Sequence, residues 1–177
     1  PFTLALTTAV DLRVAVAPPP AIPTVNPLSA APGGTITLTG TGFVPGLTVT
    51  VNGTPVTTNS VTATAVQFAY PAGIPCNSVV ALRNPDGNTV SRPLNPTPTV
   101  TGTLLGSGSA AGNAIFVIQG TGFATGTLVT IGGLPAPVQS VSSTTLTVRT
   151  PAGTPGVATV VLTTPGGCSA QTSYTYL

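Results

Sequence analysis

GTGFVPGLTVTVNGTPV (residues 40–56) returns as GTGFATGTLVTIGGLPA (residues 120–136), at an offset of 80 residues. The offset holds without a gap from Gly40 to Gly87. YPAGIP (70–75) meets TPAGTP (150–155), and LRNPDG (82–87) meets LTTPGG (162–167). Upstream the match is looser: IPTVNPLSAAPGG (22–34) corresponds to TPTVTGTLLGSGSAAGN (97–113), with about five extra residues in the second copy. A self-match at this period marks a duplicated structural unit. RPLNPTP (92–98) links the copies as a short, proline-stiffened connection. The chain therefore divides into an N-terminal segment over 1–19, a first unit over 20–95 and a second over 96–177.

Within each copy, short β-branched runs alternate with Gly, Pro and Asn turns, a strand pattern with no helical periodicity. In the first copy the strands fall near 22–26, 34–40, 46–51, 55–58, 61–70, 77–84 and 88–94. Asn52-Gly53 is a tight-hairpin signal, since both residues tolerate positive φ. Seven strands in about 80 residues predict an all-β, immunoglobulin-like sandwich in each copy. Inward-facing residues are expected at Ile36, Leu38, Phe43, Val49, Val51, Phe68, Val80 and Leu82. Their counterparts are Phe116, Ile118, Phe123, Val129, Ile131, Val148, Val160 and Leu162. GSGSAAG (106–112) is Gly-rich, but no P-loop lysine follows it, and it reads as a flexible loop.

GGTITLTGTGF (33–43), VTVNG (49–53), AYPAG (69–73) and VVALRNPDG (79–87) resemble the IPT/TIG family of immunoglobulin-like domains. The second copy repeats the resemblance with AIFVIQGTGF (114–123), VTIGG (129–133), RTPAG (149–153), VATVVLTTPGG (157–167) and SYTYL (173–177). It covers residues 20–177 and implies two tandem sandwiches, as in a bacterial or archaeal surface protein. Function does not follow from it, because such folds serve as spacers, binding modules and surface repeats alike.

The cysteines stand at non-equivalent positions: Cys76 matches Gly156, and Cys168 matches Asn88. In the immunoglobulin-like topology implied above, Cys76 begins the sixth strand at the end facing the next unit. Cys168 follows the sixth-to-seventh turn of the second unit and faces back. A Cys76–Cys168 disulfide would lock the units into a rod in an oxidising, extracellular setting. An intersubunit bridge and free thiols are the alternatives.

Charge excludes several functions. The charged side chains are Asp11, Asp86, Arg13, Arg83, Arg92 and Arg149, 3% of the chain, against a usual ~25%. Four scattered arginines do not make a nucleic-acid surface, and no apolar run is long enough to span a bilayer. There is no His, Lys or Glu, so Ser has no evident base, and neither a catalytic nor a metal or cofactor constellation is expected. Asp86 sits in a Pro-Asp-Gly turn. Asn52-Gly53-Thr54 is a formal glycosylation sequon, but its place is a hairpin turn. So uncharged a surface is expected to be covered by other subunits; glycans on Thr and Ser, or a cell-surface protein of an unusual habitat, are the alternatives.

The N-terminal segment supplies a means of assembly. Phe2, Leu4, Leu6, Val10, Leu12, Val14 and Val16 alternate with small or polar residues, the pattern of a strand with one buried face. Pro18-Pro19-Pro20 then favours an extended spacer over a tight return. Such a strand is suited to adding to an exposed sheet edge of a neighbouring copy, and a head-to-tail contact of that kind builds a filament. The expectation is a non-enzymatic structural subunit of an extracellular filament or surface fibre. Its partners are copies of itself, and Phe2 to Val16 form the interface. The alternatives are an adhesin or glycan-binding module, and a viral decoration or tail protein.

Overall fold

The computed structural model describes residues 18–177. The alternating segment Phe2–Val16, with Asp11 and Arg13, lies outside the described residues. In the first copy the strands are β1 (Ala21–Asn26), β2 (Thr35–Thr41), β3 (Thr48–Val51), β4 (Thr54–Val56), β5 (Thr58–Val61), β6 (Ala65–Ala69), β7 (Ser78–Arg83) and β8 (Thr89–Leu94). They form two sheets, ordered β1-β2-β6-β5 and β4-β3-β7-β8.

The second copy has β9 (Thr99–Leu104), β10 (Ser107–Gly108), β11 (Ile115–Thr121), β12 (Leu128–Ile131), β13 (Leu134–Pro135), β14 (Val138–Val141), β15 (Thr145–Arg149), β16 (Gly156–Thr163) and β17 (Ser169–Tyr176). Its sheets are β14-β15-β11-β9 and β10-β17-β16-β12-β13. All described residues in regular structure are in strands, so the fold is all-β, two sandwiches in tandem.

Alternation in the sequence becomes burial in the sheets. β2 and β11, TITLTGT and IFVIQGT, share one pattern, with the second, fourth and sixth residues buried. All sixteen residues expected to face inward are buried. Each large one contributes roughly 1.5–3 kcal/mol on burial. The cores also take in Ile22, Val66, Tyr70 and Leu94 in the first copy, and Leu146, Tyr174 and Tyr176 in the second.

The Gly-Thr-Gly-Phe turn has a steric cause. A Cβ at Gly40 would run into the Ala21 carbonyl oxygen and the Phe43 ring; at Gly120 it would meet Thr99 and Phe123 in the same way. The second glycine of each turn, Gly42 or Gly122, has φ of +72° or +76°, a left-handed conformation that favours glycine. The phenylalanines then close the end of each sandwich, 5% exposed.

Three sequence readings are corrected. The run 61–70, expected as one strand, is interrupted after Val61, the last residue of β5, and only Ala65–Ala69 (β6) is the strand within it. The Thr62 hydroxyl accepts from the Thr64 and Ala65 amides (3.4 and 2.9 Å), which turns the chain there; Ser142 does the same in copy two. GSGSAAG is not a free loop: it holds β10, parallel to β17 with Ser107 opposite Thr175. Glycine at 108 is required there, because a Cβ would strike the Tyr174 hydroxyl. The length difference between the copies is also smaller than about five. Asn26 pairs with Thr37 and Leu104 with Val117, offsets of 78 and 80. Two extra residues, just after Leu104, make room for β10.

Candidate functional site: the junction and the sheet edges

The two sandwiches meet at a junction built on Asn95, which is fully buried and has φ of +53°. Its amide donates to Leu28 O (2.7 Å), and its carbonyl accepts from Asn77 N (2.7 Å). Its side-chain Nδ2 lies 3.3 Å from Gly166 O in the second copy. Ser29 Oγ donates to Asn95 Oδ1 (3.1 Å) and accepts from Gly166 N (2.9 Å). Ser29, Tyr70 and Asn95 thus cradle the Pro165-Gly166-Gly167 turn so closely that a Cβ on Gly166 would collide with all three side chains.

Beside this cradle Cys76 and Cys168 are joined by a disulfide, Cα–Cα 5.8 Å, inside the range such a bridge requires. Disulfides persist in oxidising compartments. No free cysteine remains among the described residues.

Asp86, Asn52 and Tyr176 are spent on structure. Asp86 accepts from the amide and side chain of Asn88 (2.9 and 3.0 Å), closing the turn. Asn52 Nδ2 donates to Ser78 Oγ and Asn52 Oδ1 accepts from Val79 N, so the sequon asparagine ties its hairpin to β7. Tyr176 donates to Pro151 O (2.8 Å), and burial, with a smaller push from Tyr174, raises its phenol above the ordinary range. Among the described residues no group of three His, Cys, Asp or Glu side chains comes together, and no helix is long and apolar enough to cross a membrane.

The outer edges of the β7–β8 and β16–β17 pairs differ between the copies. The backbone of Val79 bonds toward β3, accepting from Asn52 N (2.9 Å), so its partner Pro93 turns its own backbone outward. The outward residues of β8 are therefore Thr89, Ser91 and Pro93. By the same parity those of β17 are Ser169, Gln171, Ser173 and Thr175; Thr175 N does bond outward, to Gly106 O (2.9 Å).

On β8 the edge is blunted. Pro93 has no N–H, and the Arg92 guanidinium donates to the outward Ser91 carbonyl (3.1 Å). Proline and charge are the usual guards of an edge strand. At the equivalent positions β17 carries Thr172 and Ser173. Among the described residues, Ser169, Gln171 and Ser173 have no backbone partner on that side.

Two four- to five-stranded sheets face to face, repeated in tandem, define immunoglobulin-like sandwich modules. The chain belongs to the IPT/TIG domain family, which matches residues 20–97 and 98–176. No curated protein matches the chain. Among solved structures it is similar to the plexin A4 full extracellular region (domains 1 to 8) at 16% identity and TM-score 0.55, covering 89% of this chain and 18% of that one. It is also similar to SGBP-B from a complex xyloglucan utilization locus in Bacteroides uniformis (18% identity, TM-score 0.51, 90% and 49%). A third is a crystal structure with xylogluco-oligosaccharide (16% identity, TM-score 0.57, 90% and 41%). The chain spans less than half the length of each, and the likeness concerns the fold.

Of the residues singled out from sequence, Cys76 and Cys168 come together at the junction. Phe2, Leu4, Leu6, Val10, Leu12, Val14 and Val16 lie outside the described residues. Sequence reading missed Ser29, Tyr70, Asn95 and Gly166, and the Arg92-Pro93 guard. Each of these except Ser29 breaks the repeat: the second copy has Thr150, Thr175, Thr172 and Ser173 where the first has Tyr70, Asn95, Arg92 and Pro93, and the first has Asp86 where the second has Gly166. That divergence was the available signal.

Proposed function

We propose that this chain is a structural subunit of an extracellular filament or surface fibre. In this reading the alternating segment Phe2–Val16 of one copy adds as a strand to a neighbouring copy. The observation that carries the proposal is polarity. Pro18 and Pro19 pack against Gly42 at the end of copy one bounded by the Asn84–Asn88 turn. The length of β1 separates that end from Ser29 and the junction with copy two. The segment therefore leaves the rod at the pole away from copy two, as a head-to-tail link requires. A disulfide-locked junction and a scarcity of charge fit a subunit covered by its neighbours.

A glycan-binding module is favoured less. Two similar structures come from a xyloglucan utilization locus or hold a xylogluco-oligosaccharide, which is a property of those chains. A sugar platform uses exposed aromatic faces. Here every aromatic side chain among residues 18–177 is buried, including Tyr70, Tyr174 and Tyr176.

Negative-stain electron microscopy of the full chain beside a variant lacking residues 1–17 tests the proposal. Fibres from the full chain and folded, two-lobed monomers from the truncated one are expected. Fibres from both, or from neither, would overturn it.

A further inference from the structure

We propose that the acceptor for the alternating segment is the free outer edge of β17, Ser169–Ser173, in the second sandwich of a neighbouring copy. The inference rests on the filament reading and adds to it the surface that receives the strand.

Each sandwich offers several edges, and most are poor templates. β4 and β13 have three and two residues, and β1, β5, β9 and β14 carry register shifts against their neighbours. Short and irregular edges of this kind discourage pairing. β8 is blunted by Pro93 and by the Arg92 side chain on Ser91 O. β17 is the long, unguarded case, eight residues from Ser169 to Tyr176. Its far end is already paired: Gly106 and Gly108 carbonyls accept from Thr175 and Leu177 amides. Its near end, Ser169-Ala170-Gln171-Thr172-Ser173, contains neither proline nor charge. Ser169, Gln171 and Ser173 present three N–H and three C=O groups outward. Ala170 and Thr172, on the core side, are small and half-buried, so apolar side chains have room beside them.

Chain length and direction fit a second copy as donor. Ser169 lies next to the junction and Tyr176 toward the opposite pole, beyond which a head-to-tail neighbour begins with its Pro18. The eight residues of β17 extend about 26 Å. Fifteen extended residues of the donor reach about 50 Å, enough to come back from that pole and pair along the five-residue edge. The donor then runs parallel to β17, as β10 does. Its first residues, Phe2, Leu4 and Leu6, lie at the seam between β9 and β17.

The test transplants the guard of copy one into copy two, as the double variant Thr172→Arg with Ser173→Pro in the full chain. Copy one folds with those residues at the equivalent positions, so the variant is expected to keep its melting temperature. The concentration needed for fibre assembly should rise roughly tenfold or more, from a lost donor and a capped acceptor at the edge. Hydrogen exchange on wild-type fibres gives a second readout that needs no variant. The Ser169, Gln171 and Ser173 amides should be protected in fibres and exchange freely in the chain lacking residues 1–17.

Fibres from a folded double variant at the wild-type concentration overturn the assignment of this edge. So does protection at Thr89 and Ser91 with none at Gln171. In both cases the filament reading survives as long as the deletion abolishes fibres. Monomeric full-length chains with Gln171 protected place the strand in cis and overturn both.

Discussion

The two sandwiches are one design used twice, and they differ where they meet something else. Their cores are nearly superimposable in sequence terms: Ile36, Leu38, Phe43, Val80 and Leu82 are matched by Phe116, Ile118, Phe123, Val160 and Leu162, all buried. Their ends are not. Cys76 stands where the second copy has Gly156, Gly166 where the first has Asp86, and Asn95 where the second has Thr175. Copy one keeps a blunted edge on β8; on β17 of copy two, Ser169, Gln171 and Ser173 have no backbone partner on the outer side among the described residues. In a duplicated protein, retained similarity reports the requirements of folding, while divergence reports the requirements of position along the chain.

The comparison breaks hardest in the core. Phe68 and Val148 are equivalent and fully buried, but the first fills far more space. Phe68→Ala should cost copy one about 3–5 kcal/mol, and Val148→Ala should cost copy two less. Calorimetry should show one melting unit shifting in each variant. Equal losses would mean that the extra volume of Phe68 adds nothing to the stability of copy one.

The next largest effect is at the junction. Replacing Cys76 and Cys168 by serine removes a cross-link worth about 2–4 kcal/mol. It should lower the melting transitions and increase the radius of gyration in solution scattering. An unchanged profile and radius would assign the rigidity to Asn95, Ser29 and Gly166 alone.

The smallest effect is alkaline. The Tyr176 phenol titrates above its ordinary value of about 10 because it is buried. The unfolded chain therefore loses that proton first. Stability is unaffected below about pH 10 and falls as pH rises beyond it. In denaturant titrations Tyr176→Phe should shallow this decline; an unaltered slope would exclude Tyr176 as its source.

Much of this architecture was legible in the chain. Strict alternation in TITLTGT and IFVIQGT, and glycines at turns, follow from strand geometry that acts over a few residues. The division of 61–70 was harder to see, because one threonine hydroxyl turning the backbone leaves little trace in hydropathy. β10 was missed for a related reason. A glycine-rich run signals freedom, while what fixes it is the Tyr174 ring 66 positions away. The cradle around Gly166 is harder still. Ser29, Tyr70 and Asn95 are ordinary residues in isolation, and only the folded chain brings them together.

The disulfide also decides how the rod would bear tension. It closes a loop across a sequence separation of 92. A pull between residue 18 and Ser169 passes from Cys168 straight to Cys76, and almost the whole second sandwich hangs outside the line of force. That sandwich could melt without lengthening the chain between the two points. Extension would be limited to what lies before Cys76, with the S–S bond as a covalent stop.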